Sequence, residues 1–226
     1  MKTNMDILDK YDLKEWWNTS LTPEQRNQIA RDYQPMGFTL GVPYLYAKIV
    51  GNDNCETGKC SFLDVLACVA TDGAKAIVAN KTEETVKEAL NQPRKNFKDI
   101  HLALTGLIKH HYRQRDEQAH YQKAKELCWL QISISTHAAK TFSKPVQPKG
   151  VSLKKLEGIL GRKLAGYGTP QTLPSHVGYK QMAIILEKEG DLEGAIKLSQ
   201  KALKQGWTDN YDKRIVKLAA KLARRK

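Results

Sequence analysis

The sequence predicts an all-α protein, and three observations predict it. Apolar residues recur at helical spacing through most of the chain from Ser61 onward. Helix-starting residues stand ahead of such runs at Thr22, Thr82, Ser152 and Asp191. Pro35, Pro93, Pro145, Pro148 and Pro174 all fall between the runs, where a missing N–H and a fixed φ do no harm.

The first clear start is LTPEQRNQIARDYQP. Thr22 caps it, Pro23 takes the first helical position, and Gln25 completes a capping box. The helix ends before Pro35, which also disfavours helix at Gln34. Ahead of it, DLKEWWNTS places Leu13, Trp16 and Trp17 on a short helix. Adjacent tryptophans diverge by about 100° around a helix, so one packing surface buries no more than one of them fully. Residues 36–60 are the least regular, punctuated by Gly37, Gly41, Pro43, Gly51 and Gly58, with a short strand or helix expected within 44–50.

From Ser61 the pattern is helical. Phe62, Leu63, Val65, Leu66, Val69 and Ala70 form an apolar stripe, which Ile77 and Val78 extend after Gly73. A separate small helix is expected at TEETVKEALNQ, capped by Thr82, with acids in its first turn. Residues 97–142 read as a helical hairpin with a polar turn at 113–118. Phe97, Ile100, Leu104, Leu107 and Ile108 mark its first helix; Tyr121, Ala124, Leu127, Cys128, Leu130 and Ile134 mark its second. SKPVQPKG is a linker. Ser152 then caps a short helix carrying Leu153, Leu156, Ile159, Leu160 and Leu164, and GYGTPQTLPS is a loop that ends on Ser175 as the next cap. These readings divide the chain into an N-terminal α-helical region at 1–143, a linker with a short helix at 144–174, and a C-terminal unit at 175–226.

In that last unit, residues 176–207 read HVGYKQMAIILEKEGDLEGAIKLSQKALKQGW. Tyr179, Met182, Ala183 and Leu186 supply aromatic, large, small and large positions on one helix. EGDLEGA is a turn in which Gly190 ends that helix and Asp191 caps the next. Ala195 and Ala202 stand seven apart on the second helix, and Gly206 ends it. The stretch resembles a tetratricopeptide repeat, a helix–turn–helix unit of about 34 residues. It departs from that family in Ser199, where an aromatic is usual, and in the absence of a following proline. A weaker echo lies at HLALTGLIKHHYRQRDEQAHYQKAKELCWL.

The resemblance implies that Ala195 and Ala202 are buried where helices approach closely, and that the helix from Asp209 through Leu222 caps a stack. One repeat cannot cover its own apolar faces, so the earlier helices are expected to join it in an irregular α–α superhelix or bundle. It also implies a concave face that holds a peptide or partner protein, with Lys180, Ile184, Glu187 and Lys188 near it.

Composition and charge narrow the function. The 226 residues are 41% hydrophobic and 27% charged, enough for a real core. No stretch nears the roughly 18 consecutive apolar residues of a membrane span. Asp6, Asp9 and Asp12 interrupt the region where a secretory signal needs an apolar run, so a cytoplasmic protein without membrane partners is expected. Residues 1–143 hold 19 Lys/Arg against 17 Asp/Glu, whereas residues 144–226 hold 18 against 7. The second segment therefore suits an anionic partner or a solvated basic surface.

Cys68 and Cys128 read as buried small hydrophobes in helices. Cys55 and Cys60, with four residues between them, read as loop cysteines, with a local disulfide or a zinc site as alternatives. His110 and His111 are adjacent, diverge around a helix, and read as a polar surface rather than a catalytic dyad. GRKLAGYG lacks the preceding strand and the Lys-Ser/Thr of a phosphate loop, and no HExxH or GxSxG occurs. The expectation is a non-enzymatic interaction module, without cofactor or metal, that binds a peptide or partner protein. The alternative is weak, electrostatic nucleic-acid binding through Lys213, Arg214, Lys217, Lys221, Arg224 and Arg225, with Val216, Leu218 and Leu222 on another side of that helix.

Overall fold

The computed structural model describes residues 6–34, 43–47, 58–145 and 152–224, and they are all-α, with no named strand among them. The chain divides into two compact units, Met1–His110 and His111–Lys226, so the expected 143/144 boundary falls inside the second unit.

In the first unit α1 (Ile7–Lys10), α2 (Lys14–Ser20) and α3 (Pro23–Asp32) lead to a 3-10 turn at Tyr44–Tyr46. Asp6 and Thr22 each make a reciprocal capping box with the residue three places on, Asp9 and Gln25. Trp17 is fully buried beside Leu8, Leu13, Ile29, Leu45, Phe62 and Leu66, while Trp16 packs against this core from its edge. Residues 48–50 lie outside the described residues.

Next come α4 (Lys59–Val69), α5 (Asp72–Asn91) and α6 (Phe97–Arg113), the last of which carries its final turn into the second unit. The apolar stripe after Ser61 is therefore two helices, broken at Ala70 and Thr71 and packed on each other. Gln28 ties α3 to that corner: its amide donates to the Val69 carbonyl at 2.8 Å and accepts from the Thr71 N–H at 3.1 Å. The separate helix expected from Thr82 does not exist. Thr82 is buried in the middle of α5, and its hydroxyl donates to the Val78 carbonyl at 2.7 Å, a bond open to threonine within a helix.

No local side chain caps α4, because Gly58 stands at its cap. The cap comes from α6. The buried Asp99 carboxylate accepts from the Cys60 N–H at 3.1 Å, the Ser61 N–H at 2.8 Å and the Ser61 hydroxyl. A Cβ on Gly58 would sit 2.2 Å from Asp99 Cγ. Further along, a Cβ on Gly106 of α6 would sit 1.5 Å from a carboxylate oxygen of Asp64 on α4. Each helix thus offers a glycine notch to the other's aspartate, and the two pairs set α4 and α6 running in the same direction.

The second unit holds α7 (Gln118–Ser133), α8 (Ser135–Phe142), α9 (Leu153–Leu160), α10 (Val177–Glu189), α11 (Leu192–Lys204) and α12 (Tyr211–Ala223). α10 packs on α7 and α11, and α11 packs on α12. Ser152 and Asp191 cap α9 and α11 as expected, and Gly190 closes α10 at φ 90°, where a side chain would be strained. The expected Ser175 cap is instead His176, whose Nδ1 accepts the Tyr179 N–H at 3.2 Å. Close approach of α10 to α7 depends on Gly178, whose N–H donates to Gln131 Oε1 at 2.6 Å; a Cβ there would lie 3.0 Å from the Cys128 carbonyl oxygen.

Ala195, Ser199 and Ala202 have no exposed surface, so the expected burial of the two alanines is met. The Ser199 hydroxyl donates to the Ala195 carbonyl at 2.8 Å, which explains how a polar side chain sits in this face without penalty. Ala195→Leu or Ala202→Leu should overpack it and lower stability by roughly 1–3 kcal/mol. Urea unfolding of each variant tests this; an unchanged midpoint for both would show that the face has room.

Candidate functional site

The loop after α11 and the α12 helix bring two sequence-predicted residue sets to one place. An open cleft of about 450 Å³ lies between α10 and α12, lined by Lys180, Ile184 and Glu187 from α10 and by Lys213, Arg214 and Lys217 from α12. Asp209, Asn210 and Tyr211 close one end. Lys180, Ile184 and Glu187 share a face because they stand four and three apart on a helix, and Lys213 and Lys217 likewise stand one turn apart.

An aromatic layer holds the two helices in register. His176 lies tilted at 4.5 Å from the Tyr179 ring and meets Trp207 edge-on at 4.6 Å. The Tyr211 hydroxyl donates to the His176 carbonyl at 3.2 Å, which anchors the first turn of α12 to the start of α10. Burial pushes the Tyr211 phenol well above its ordinary pKa, so it stays a neutral donor.

The cleft's charges are internally paired in part. Arg214 bonds Glu187 at 3.3 Å, Lys221 two turns further along α12 bonds the other Glu187 oxygen, and Lys180 bonds Asp209 at 3.1 Å. The Lys221 hydrogen bond, against some opposing burial, holds the Glu187 carboxyl below its ordinary pKa, with Lys217 and Arg214 adding to it. Burial raises that of Asp209, but hydrogen bonds from the Asn210 N–H, Lys180 and Ser175 outweigh it and leave the carboxyl lowered. Both are carboxylates at neutral pH. Among the described residues, no ion pair occupies Lys213 or Lys217, and both are exposed.

No family model, curated protein or solved structure matches this chain. The remaining sequence-predicted residues are placed by geometry alone. Lys188 lies outside the cleft, with its Nζ donating to the Tyr112 hydroxyl at 3.2 Å. Arg224 follows the end of α12 and is exposed, and Arg225 lies outside the described residues. On the other side of α12 Leu218 is buried, but Val216 is 70% exposed and so does not join the apolar side expected of it.

Cys128 is buried as expected, but Cys68 is exposed on α4, on the side turned from the core. Cys60 is not a loop residue: it is buried in the first turn of α4. Burial, then the Asp99 carboxylate, push its thiol up to about 12. Cys55 lies outside the described residues. Among those that are described, no group of three or more His, Cys, Asp or Glu side chains is placed to hold a metal ion, and no helix is long and apolar enough to cross a membrane.

Sequence reasoning missed one contact. His111 is buried rather than on a polar surface, and its Nδ1 lies 2.8 Å from Nδ1 of His120 across the turn between α6 and α7. One ring donates and the other accepts, with the roles set by the tautomers. The nine-residue separation spans a turn, and neither helical nor strand periodicity signals it.

Proposed function

We propose that the protein is a non-enzymatic interaction module whose second unit binds a peptide segment of a partner protein in the cleft between α10 and α12. The observation that carries this reading is the convergence of Lys180, Ile184 and Glu187 with Lys213, Arg214 and Lys217 around one open, mixed apolar and charged cleft. The resemblance of residues 176–207 to a tetratricopeptide repeat supports it, since such repeats present ligands to the same helix face. Ile184, half-buried at the middle of α10, supplies apolar contact, and the surrounding charges supply orientation.

A random-peptide library panned against the whole protein tests the reading. Enriched peptides should bind one to one, and Ile184→Asp should weaken them by about tenfold or more, since losing an apolar anchor costs more than 1.4 kcal/mol. Helix content should not change, because Ile184 is not fully buried. No enrichment, or binding indifferent to Ile184, would overturn the proposal.

A further inference from the structure

The cleft already holds two carboxylates, both its own. Glu187 lies between Arg214 and Lys221, and Asp209 lies against Lys180, so the lining cations stand where a carboxylate can be gripped. Four cations line the cleft, namely Lys180, Lys213, Arg214 and Lys217, against two acids, Glu187 and Asp209. Lys213 and Lys217, one turn apart and without an ion pair among the described residues, are left to face the opening.

Resting on the reading above, we infer that the cleft takes an acidic peptide segment, and that Glu187 is an internal competitor for the cations that grip it. A ligand carboxylate bridges Lys213 and Lys217 first. A second one reaches Arg214 only by displacing Glu187, so occupancy is opposed by the ion pairs it must break. Such an arrangement selects for acid spaced along a chain, because a single carboxylate satisfies the Lys pair without opening the Glu187 cluster.

A peptide fits better than a nucleic acid for three reasons. Glu187 and Asp209 lie inside the lining and repel a continuous run of phosphates. Tyr211, the one aromatic ring in the lining, is 1% exposed and offers no face on which a base can stack. Ile184 offers an apolar contact that a phosphate backbone does not use.

The test uses the full chain and three labelled dodecapeptides of alternating Leu with Glu, Gln or Lys, beside a single-stranded RNA of the same length. Binding is read by fluorescence anisotropy at low and moderate salt. The Glu peptide should bind, and the double variant Lys213→Glu, Lys217→Glu should weaken it by about tenfold or more, as expected for cations that contact the ligand directly. Glu187→Gln should tighten binding several-fold by releasing Arg214 and Lys221. The equally charged double variant Lys154→Glu, Lys155→Glu, on the exposed face of α9, should change it by no more than about twofold, because screening weakens distant charges.

Equal binding of the Gln peptide would overturn the acidic preference while leaving the peptide cleft standing. Equal losses in both double variants would overturn it in favour of diffuse charge attraction. Tighter RNA binding with the same dependence on Lys213 and Lys217 would overturn it in favour of a phosphate site. Weaker binding by Glu187→Gln would overturn the role of Glu187. If none of the three peptides binds, the acidic preference fails, and the library experiment decides separately whether any peptide is bound.

Discussion

Asp99→Ala should lower the stability of the first unit by roughly 2–5 kcal/mol, because it leaves buried donors without acceptors at about 1–3 kcal/mol each. Its carboxylate accepts the Cys60 and Ser61 N–H groups at 3.1 and 2.8 Å, and the residue is 7% exposed. Its negative charge also faces the positive end of the α4 dipole. Asp99→Asn keeps an acceptor but loses the charge, so its cost should be distinctly smaller. Gly58→Ala offers an independent route to the same defect, since its Cβ would evict the carboxylate. Urea unfolding of the single variants and of the double variant decides the matter. If Asp99 acts as the cap, the combined cost falls well short of the sum, because both changes remove one interaction. Full additivity, or an Asp99→Ala cost under about 0.5 kcal/mol, would show that α4 is capped otherwise.

Asp64→Asn should have the opposite sign, with an effect that grows between about pH 4 and 7. Burial pushes the Asp64 carboxyl up from 3.8 to about 7, with Lys109 pulling weakly the other way. The folded pKa lies above the unfolded one, so the unfolded chain ionises first as pH rises. Stability is therefore lost between about pH 4 and 7, and the loss is complete above 7. Three pKa steps of 1.36 kcal/mol give an upper limit of about 4 kcal/mol, reduced by the solvent that reaches this half-buried group. Asn carries no charge to bury, so the variant should melt higher than the parent at pH 8 and level with it near pH 4. His101 acts over the same range with the opposite sign. Burial lowers its imidazole from 6.5 to about 4, so it stays neutral in the fold, and stability falls as pH drops from 6.5 through 4. The two effects oppose each other between about pH 4 and 6.5 in the parent, and Asp64→Asn uncovers the His101 loss: its melting temperature should fall more steeply than the parent's as pH drops from 7 to 4. Equal slopes in parent and variant would clear Asp64 as a cause.

What could be read in advance depended on how local the controlling interaction is. Helix starts at Thr22, Ser152 and Asp191 were legible because the capping oxygen lies three residues from the N–H it accepts. The start of α4 was not, because its cap is supplied by a residue 39 positions away. Thr82 misled for the converse reason: a threonine ahead of glutamates reads as a cap, yet here its hydroxyl bonds back into a continuing helix. Half of the cleft was legible. Lys180, Ile184 and Glu187 fall on one face by spacing alone, whereas Lys188 follows the same stripe but is drawn to Tyr112. The α12 residues were read as a separate phosphate-binding surface, because sequence shows that Lys213, Arg214 and Lys217 are basic but not that they stand opposite α10.

The distant cap on α4 also orders events in folding. Thr22 or Asp191 can act as soon as its own helix turns once, whereas Asp99 cannot reach Cys60 and Ser61 until α5 has reversed the chain and α6 has begun. The cap on the first turn of α4 can therefore close only once α6 has come back to it. Contacts made after the folding transition state slow unfolding without speeding folding. If the Asp99 bonds form that late, the carboxylate is a latch, and Asp99→Ala should speed unfolding more than it slows folding in stopped-flow measurements.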